Sequence, residues 1–503
     1  MSDSDHLPTR RALLKSGLAC VVAAGAPLRA QSDAMSRGSE RPSQSAAAAT
    51  GDAVSQITLT LSDYIATASE RALPAPISEA TKQHFLDTLA AMISGSRLVP
   101  GKSALAYVQA LGGTAEACVP GSGIVTNVIN AALAGGMLAH ADETDDTHAP
   151  SIVHPGCSTV PAALAMAERH RSDGTALLRA IALGYDVSTR VAMACNAYAF
   201  SPAGHSNSAF GGTFGAAAAC ASVARMTADQ VRHVLSFASQ QAGGLSNFAR
   251  DKEHVEKSFV FGGLPARNGA TAATMVEAGM SGIDDAFAGD RNFFFAYAPT
   301  AKPQELVRGL GDRFEIVNTT IKRWSVGAPI QAPLDSLSYL IKTNKLTADD
   351  VVSLTVRVSH QGVHTSDNSA VPDINMQYML SAMLLDGIVT MDAAHDAARM
   401  NDPKIRDVRR RIVLVADDDL DRALPSQQGI VEVTLRDGRT LRHHTTDVRG
   451  TPANPMSRDE VEEKCAGLLG PVLGKERARR LIDAAWGLEA VRDVRTLRPL
   501  LVA

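Results

Sequence analysis

The chain has 503 residues, of which 45% are hydrophobic, 20% charged and only 4% aromatic. That balance belongs to a globular protein of about three domains and excludes a disordered or fibrous chain. A formal charge of −4 lacks the basic excess that nucleic-acid binding requires, and so few aromatics leave a core of Ala, Val, Leu and Met, which favours closely packed helices.

Residues 9–15 (TRRALLK) precede a short apolar run, residues 16–26. A charged segment before such a run reads as an export signal. The Arg10–Arg11 pair, with Leu13, Leu14 and Lys15 behind it, resembles the bacterial twin-arginine signal. The run is too short to anchor the protein in a bilayer. Residues 1–30 are therefore assigned to a signal peptide. A periplasmic or otherwise exported protein is expected, with no stable membrane association once the signal is removed. Residues 31–55 are rich in Ser, Ala and Gly and read as a flexible linker. Of six cysteines, Cys20 falls in the signal. The other five are widely spaced and form no CxxC, so they suggest neither a disulfide framework nor a zinc or iron–sulfur site.

Residues 56–312 carry helical periodicity. In ATKQHFLDTLAAMIS, Phe85, Leu86, Leu89, Met92 and Ile93 recur at spacings of three and four. GTFGAAAACASVARM is nearly all small and apolar, as in a helix buried on most sides. Its GGTFG lacks the residues of a phosphate-binding loop and reads as a site of close helix approach. From residue 313 to 449 the texture changes. RFEIVNTTI and VVSLTVRVSH alternate as strands do, and GIVEVTLRDGRTLRHHT is a hairpin turning at Asp437–Gly438. Helical patterning returns over 450–503, where Ser457 and Glu460 have capping-box spacing. The predicted class is mainly α. An all-helical core domain is made from both ends of the chain (56–312 and 450–503), and a smaller α+β domain (313–449) serves as a lid.

The densest polar cluster runs from His140 to Gly156, HADETDDTHAPSIVHPG. It allows three readings: a solvated helix end, a metal site built from His and carboxylates, or a metal-free acid/base site. The segment resembles DFDDTH…HP of the MmgE/PrpD family, which contains 2-methylcitrate dehydratases, cis-aconitate decarboxylases and an iminodisuccinate epimerase. The resemblance continues through GHSNSAFGGTFGAAAA (204–219), EKSFVFGGLPARNG (256–269), IKRWSVGAPIQAPLDSL (321–337) and MQYMLSAMLLDG (376–387). It runs in order from about residue 57 to the end.

The resemblance implies a two-domain homodimer with a site between the domains. It also implies a cofactor-independent lyase, without metal, acting on a small anionic polycarboxylate. Carried over residue by residue, the catalytic set is His154, His205, Lys257, Lys322 and Tyr378. Glu143 and Thr147 join the two lysines in binding substrate. Chemically, removing a proton beside a carboxylate piles negative charge onto an anion, so fixed cations must stabilise it. Imidazoles are natural proton carriers near neutral pH. Dehydration of a 2-methylcitrate-like acid is the expected reaction, with decarboxylation or epimerisation as alternatives. A metal-dependent hydrolase using the His140–His154 cluster and a non-catalytic polycarboxylate-binding protein are rivals of other classes. The chain departs from the family pattern in four places. Glu143 is one methylene longer than the usual Asp, and one extra residue lies between His205 and Gly215. Trp324–Ser325 replaces Tyr-Pro, and Gly327 stands where Cys or His is common.

Overall fold

The computed structural model describes residues 53–503. The expected signal peptide and most of the expected linker lie outside the described residues. Within the linker's expected range, Ser55 already acts as a helix cap. Its hydroxyl accepts the Thr58 N–H at 3.3 Å and starts the helix Gln56–Thr67.

The protein is mainly helical, with 61% helix and 8% strand. Its buried apolar side chains form two clusters. The larger draws on residues between Leu61 and Ile321 and again between Met456 and Leu501. The smaller runs from Trp324 to Leu435. Phe314, Ile316 and Ile321 belong to the first cluster, so the core changes hands about ten residues after the texture change at 313.

The helix Asn207–Val223 is buried along its whole length. It lies against the helix Gly174–Ala194 at a distance only glycine permits. A Cβ on Gly211 would stand 2.4 Å from the Ser188 carbonyl oxygen, and one on Gly215 would stand 2.6 Å from that of Gly184. The glycine-rich segment is thus a helix–helix contact. At the far end of the chain, the helix Arg458–Leu473 begins with the expected capping box. The Ser457 hydroxyl accepts the Glu460 N–H, and the Glu460 carboxylate accepts the Ser457 N–H at 2.8 Å.

Two short strands, β1 (Ala117–Cys118) and β2 (Val125–Thr126), pair antiparallel inside the helical part, which is therefore not strictly all-helical. The α+β part holds β3 (Val351–Val358), β4 (Ile412–Ala416), β5 (Gly429–Leu435) and β6 (Thr440–Thr445) in the order β4-β3-β5-β6. β5 and β6 are the expected hairpin, with Gly438 at φ 86° in the turn. β4 was not anticipated; it pairs in parallel with β3 and directly follows the helix Pro403–Arg409.

The segment 313–321, expected as a strand, is instead a 3₁₀ turn, Glu315–Asn318, followed by a single bridge from Thr320 to Thr147. The buried Glu315 carboxylate decides this. It pairs with His148 at 3.3 Å and Arg313 at 2.6 Å, so the backbone follows these partners rather than a sheet. Among the described residues no helix is long and apolar enough to cross a membrane, and all five cysteines are buried free thiols.

Candidate active site

The polar loop that follows the helix Val128–Ala139 is held from several sides. Asn127 caps that helix through the Asn130 N–H at 2.9 Å. Near its C-terminus, Gly136 meets Gly262 so closely that a Cβ on either would fall 2.0–2.3 Å from the other's carbonyl oxygen. Gly262 lies in the turn Phe259–Gly263, directly after the short helix Val255–Ser258 that carries Lys257. This contact sets the start of the loop against Lys257. Asp146 then pins the loop to two core helices. Its carboxylate accepts from Tyr185 at 2.5 Å and from the Gly156 N–H at 3.0 Å, and it pairs with His84 at 2.6 Å. From the helix Arg458–Leu473, Lys464 donates to the Thr144 carbonyl at 3.1 Å and pairs with Asp87 at 2.5 Å.

This framework gathers two carboxylates, two ammonium groups and three imidazoles. Lys257 pairs directly with Glu143. The Lys322 Nζ donates to the Glu143 carbonyl at 2.8 Å and lies 3.6 Å from the Glu143 carboxylate and 3.7 Å from that of Asp145. Asp145 accepts from Nδ1 of both His140, at 3.0 Å, and His154, at 3.1 Å. His140 and His154 meet edge to face at 5.0 Å, and His140 stacks on Phe261 at 4.5 Å. His254 lies 5.2 Å from the His140 ring, with its Nε2 3.9 Å from Glu143.

Charge and burial assign protonation states. Burial alone would neutralise Glu143, but Lys257 and Lys322 outweigh it and hold its carboxyl well below the usual range. Asp145 is likewise held anionic against burial, by its two imidazole partners. Burial works against the charge of Lys322, yet the surrounding carboxylates keep its pKa above the ordinary lysine value. Burial pushes His154 down despite the pull of Asp145. An anionic Asp145 must receive a proton from Nδ1, which leaves a lone pair on His154 Nε2. His154 is the less enclosed of the two imidazoles on Asp145, its side chain 13% exposed against 0% for His140. The arrangement is a base oriented by a carboxylate, beside two fixed cations.

Two family models match consecutive parts of the chain, the MmgE/PrpD N-terminal domain over residues 59–306 and the MmgE/PrpD C-terminal domain over residues 324–489. The chain belongs to the MmgE/PrpD family. It is 24% identical over 477 residues to the cis-aconitate decarboxylase-like protein oryM of Aspergillus oryzae, covering 88% of this chain and 97% of that protein. It is 24% identical to human cis-aconitate decarboxylase, covering 84% and 90%. A 2-methylcitrate dehydratase-like protein of Aspergillus oryzae, oryR, is 23% identical over 51% of this chain and 55% of its own length.

Of the residues that the MmgE/PrpD resemblance singles out, Glu143, His154, Lys257 and Lys322 come together. Thr147 sits beside them, its backbone paired with Thr320 in both directions two residues before Lys322. His205 makes none of these ion pairs. Its ring packs among Phe200, Phe210 and Tyr297, while Ser208, three residues on, accepts the His154 N–H at 3.1 Å. Tyr378 is fully buried in the smaller core, where its hydroxyl donates to the Ala393 carbonyl at 2.7 Å.

The family resemblance gives no place to His140, Asp145, His254, Asp373 or His395. By sequence, His140 figures only as one end of a possible metal cluster and Asp145 reads as a loop-shaping residue, yet Asp145 orients both imidazoles. His395, from the α+β part, faces Asp142 with Nε2 at 3.3 Å. Asp142 and its neighbours raise the His395 pKa to about 9 against the cost of burial, and burial raises Asp373 beside it to about 7. Only the density of the 140–154 segment signalled any of these. His140, Glu143 and His254 bring possible metal-ligand atoms within 4.8 Å of one another, as do His140, Asp145 and His154. A cation in the first group would compete with Lys257 for the Glu143 carboxylate.

Proposed function

We propose that the protein is a lyase that moves a proton at a carbon beside a carboxylate of a small di- or tricarboxylate. The carrying observation is the juxtaposition of the Asp145-oriented His154 with Lys257 and Lys322. In the first reading the substrate is a 2-methylcitrate-like hydroxy acid. His154 Nε2 takes the proton from the carbon, the electron pair forms the double bond, and the hydroxyl leaves as water on receiving that proton back from the imidazolium. The two ammonium groups bind carboxylates and stabilise the charge as it develops. No step calls for a cofactor.

Decarboxylation is the second reading, supported by relatives named as cis-aconitate decarboxylases. There the bond to a carboxylate breaks, carbon dioxide leaves, and the carbon receives a proton from an imidazole. Closure of the α+β part as a lid would exclude water and strengthen these interactions. Export by the twin-arginine route and assembly as a homodimer belong to the same proposal, on the strength of residues 9–26 and the family resemblance.

The test is incubation with hydroxylated, unsaturated and amino di- and tricarboxylates in deuterated water, followed by proton NMR. Turnover with solvent deuterium at a carbon beside a carboxylate is expected. No turnover and no exchange across the panel would refute the reading. Stoichiometric bound metal, with activity lost to a chelator, would favour a metal-dependent hydrolase built on the His140–His154 cluster.

A further inference from the structure

His254 carries two costs that nothing in the free protein offsets. Its backbone is left-handed, at φ 61°, a region that L residues with a Cβ avoid and that Gly or Asn occupies more cheaply. Its side chain is only 9% exposed, and its Nε2 has no hydrogen-bond partner. Strain of this kind persists where the surroundings over-determine it, which is often at working sites.

The surroundings are specific. The left-handed residue begins the helix Val255–Ser258, and Asp251 fixes the same turn by accepting the Glu253 and Lys257 N–H groups. One turn of chain thus delivers the Lys257 ammonium and the His254 ring to the same carboxylate, Glu143. Burial and the Lys257 charge push the imidazole down to about 3, so it is neutral. A neutral imidazole is a hydrogen-bond donor that adds no further positive charge and can polarise an oxygen acquiring negative charge.

We propose that His254 is a substrate-binding residue of this site, its Nε2–H donating to a carboxylate oxygen of the bound polycarboxylate close to where the Glu143 carboxylate stands in the free protein. The inference rests on the polycarboxylate reading above and adds a residue to it. The turn presents a cation and a neutral donor together, so that one carboxylate meets both. The otherwise unused nitrogen then acquires its partner only when substrate is present.

The experiment compares wild type with His254→Leu, His254→Gln and His254→Asn. Citrate binding is followed by calorimetry, turnover by the deuterium assay, and stability by thermal melting. His254→Leu removes an unpartnered polar group, so it should melt no lower than wild type while citrate affinity and kcat/KM fall roughly tenfold to a hundredfold, the loss expected for a hydrogen bond to a charged group. His254→Gln keeps an N–H donor of similar reach and should recover part of that loss. His254→Asn tolerates the left-handed backbone but falls short of Glu143; it should fold and bind as poorly as the Leu variant. Binding and turnover within twofold of wild type in the Leu and Asn variants would overturn the inference and leave the lyase reading standing. So would a drop in melting temperature that accounts for the lost activity. A wild-type protein that neither binds nor turns over any polycarboxylate would refute the lyase reading and this inference with it.

Discussion

Replacing Lys322 by methionine keeps the reach of the side chain and deletes its charge. Lys322 is 1% exposed, with carboxylate oxygens of Glu143 and Asp145 at 3.6 and 3.7 Å. At an effective dielectric constant of about 20, each such pair is worth roughly 4–5 kcal/mol of attraction. The cost of desolvating the ammonium, several kcal/mol, offsets part of that sum. Removing one partner of a buried ion pair typically costs about 3–5 kcal/mol, because the opposite charge is left uncompensated. Lys322→Met should destabilise the protein by about that amount at pH 7.5.

The pH dependence has a definite sign. In wild type, Glu143 and Asp145 have depressed pKa values, so their contribution is present above the ordinary carboxylate range and is lost only as pH falls through the depressed values. Without Lys322, the Glu143 carboxyl keeps only Lys257 against the cost of burial and moves upward, while Asp145 keeps both imidazoles. The carboxylate's contribution is then lost at a higher pH than in wild type, so the deficit is full near neutral pH and shrinks as pH falls through the carboxylate range. Guanidinium unfolding followed by tryptophan fluorescence, with Trp324 two residues away, measures both. A deficit under about 1 kcal/mol at pH 7.5, or one that does not shrink toward acid pH, would refute the electrostatic account.

Three further outcomes are expected. His154→Ala should lower kcat by roughly 10²–10⁴-fold, and Asp145→Asn should follow it in steady-state kinetics, because the imidazole loses the acceptor that fixes its Nδ1–H. Gly262→Ala places a Cβ 2.0 Å from the Gly136 carbonyl oxygen and should cost about 1–3 kcal/mol. The control Gly467→Ala, exposed in mid-helix with nothing within 4 Å of its Cβ, should gain about 0.5–1 kcal/mol; chemical denaturation separates the two. The raised pKa of His395 means that its pairing with Asp142 stabilises fully below the ordinary histidine value of 6.5 and is lost as pH rises through about 9. Asp142→Asn or His395→Gln should flatten the stability profile over that window.

Much of the helical half was legible because its signals are local. The spacing of Phe85, Leu89 and Met92, the capping box at Ser457 and Glu460, and the turn at Asp437–Gly438 each depend on residues a few positions apart. The strand β4 was missed because a parallel strand needs a distant partner, here β3, to declare itself. The segment 313–321 was misread because its alternation is real, but a buried Glu315 with distant partners overrides it. Of the site, the 140–154 cluster was visible as density, and Glu143, His154, Lys257 and Lys322 through motif resemblance. His254, Asp373 and His395 sit in unremarkable surroundings, and nothing within several residues of them reports burial.

The sequence by itself determined the family, the helical and strand-forming stretches and the chemical types gathered in one polar loop, because these follow from short-range pattern and composition. Tertiary structure alone decided which charges meet. Glu143 lies between a lysine 114 residues away and another 179 residues away, Asp145 binds two imidazoles at once, and His205 and Tyr378 are turned into aromatic and apolar surroundings. Pairing and burial set the charge state of each group, and both depend on chain segments that come together only when the whole core packs.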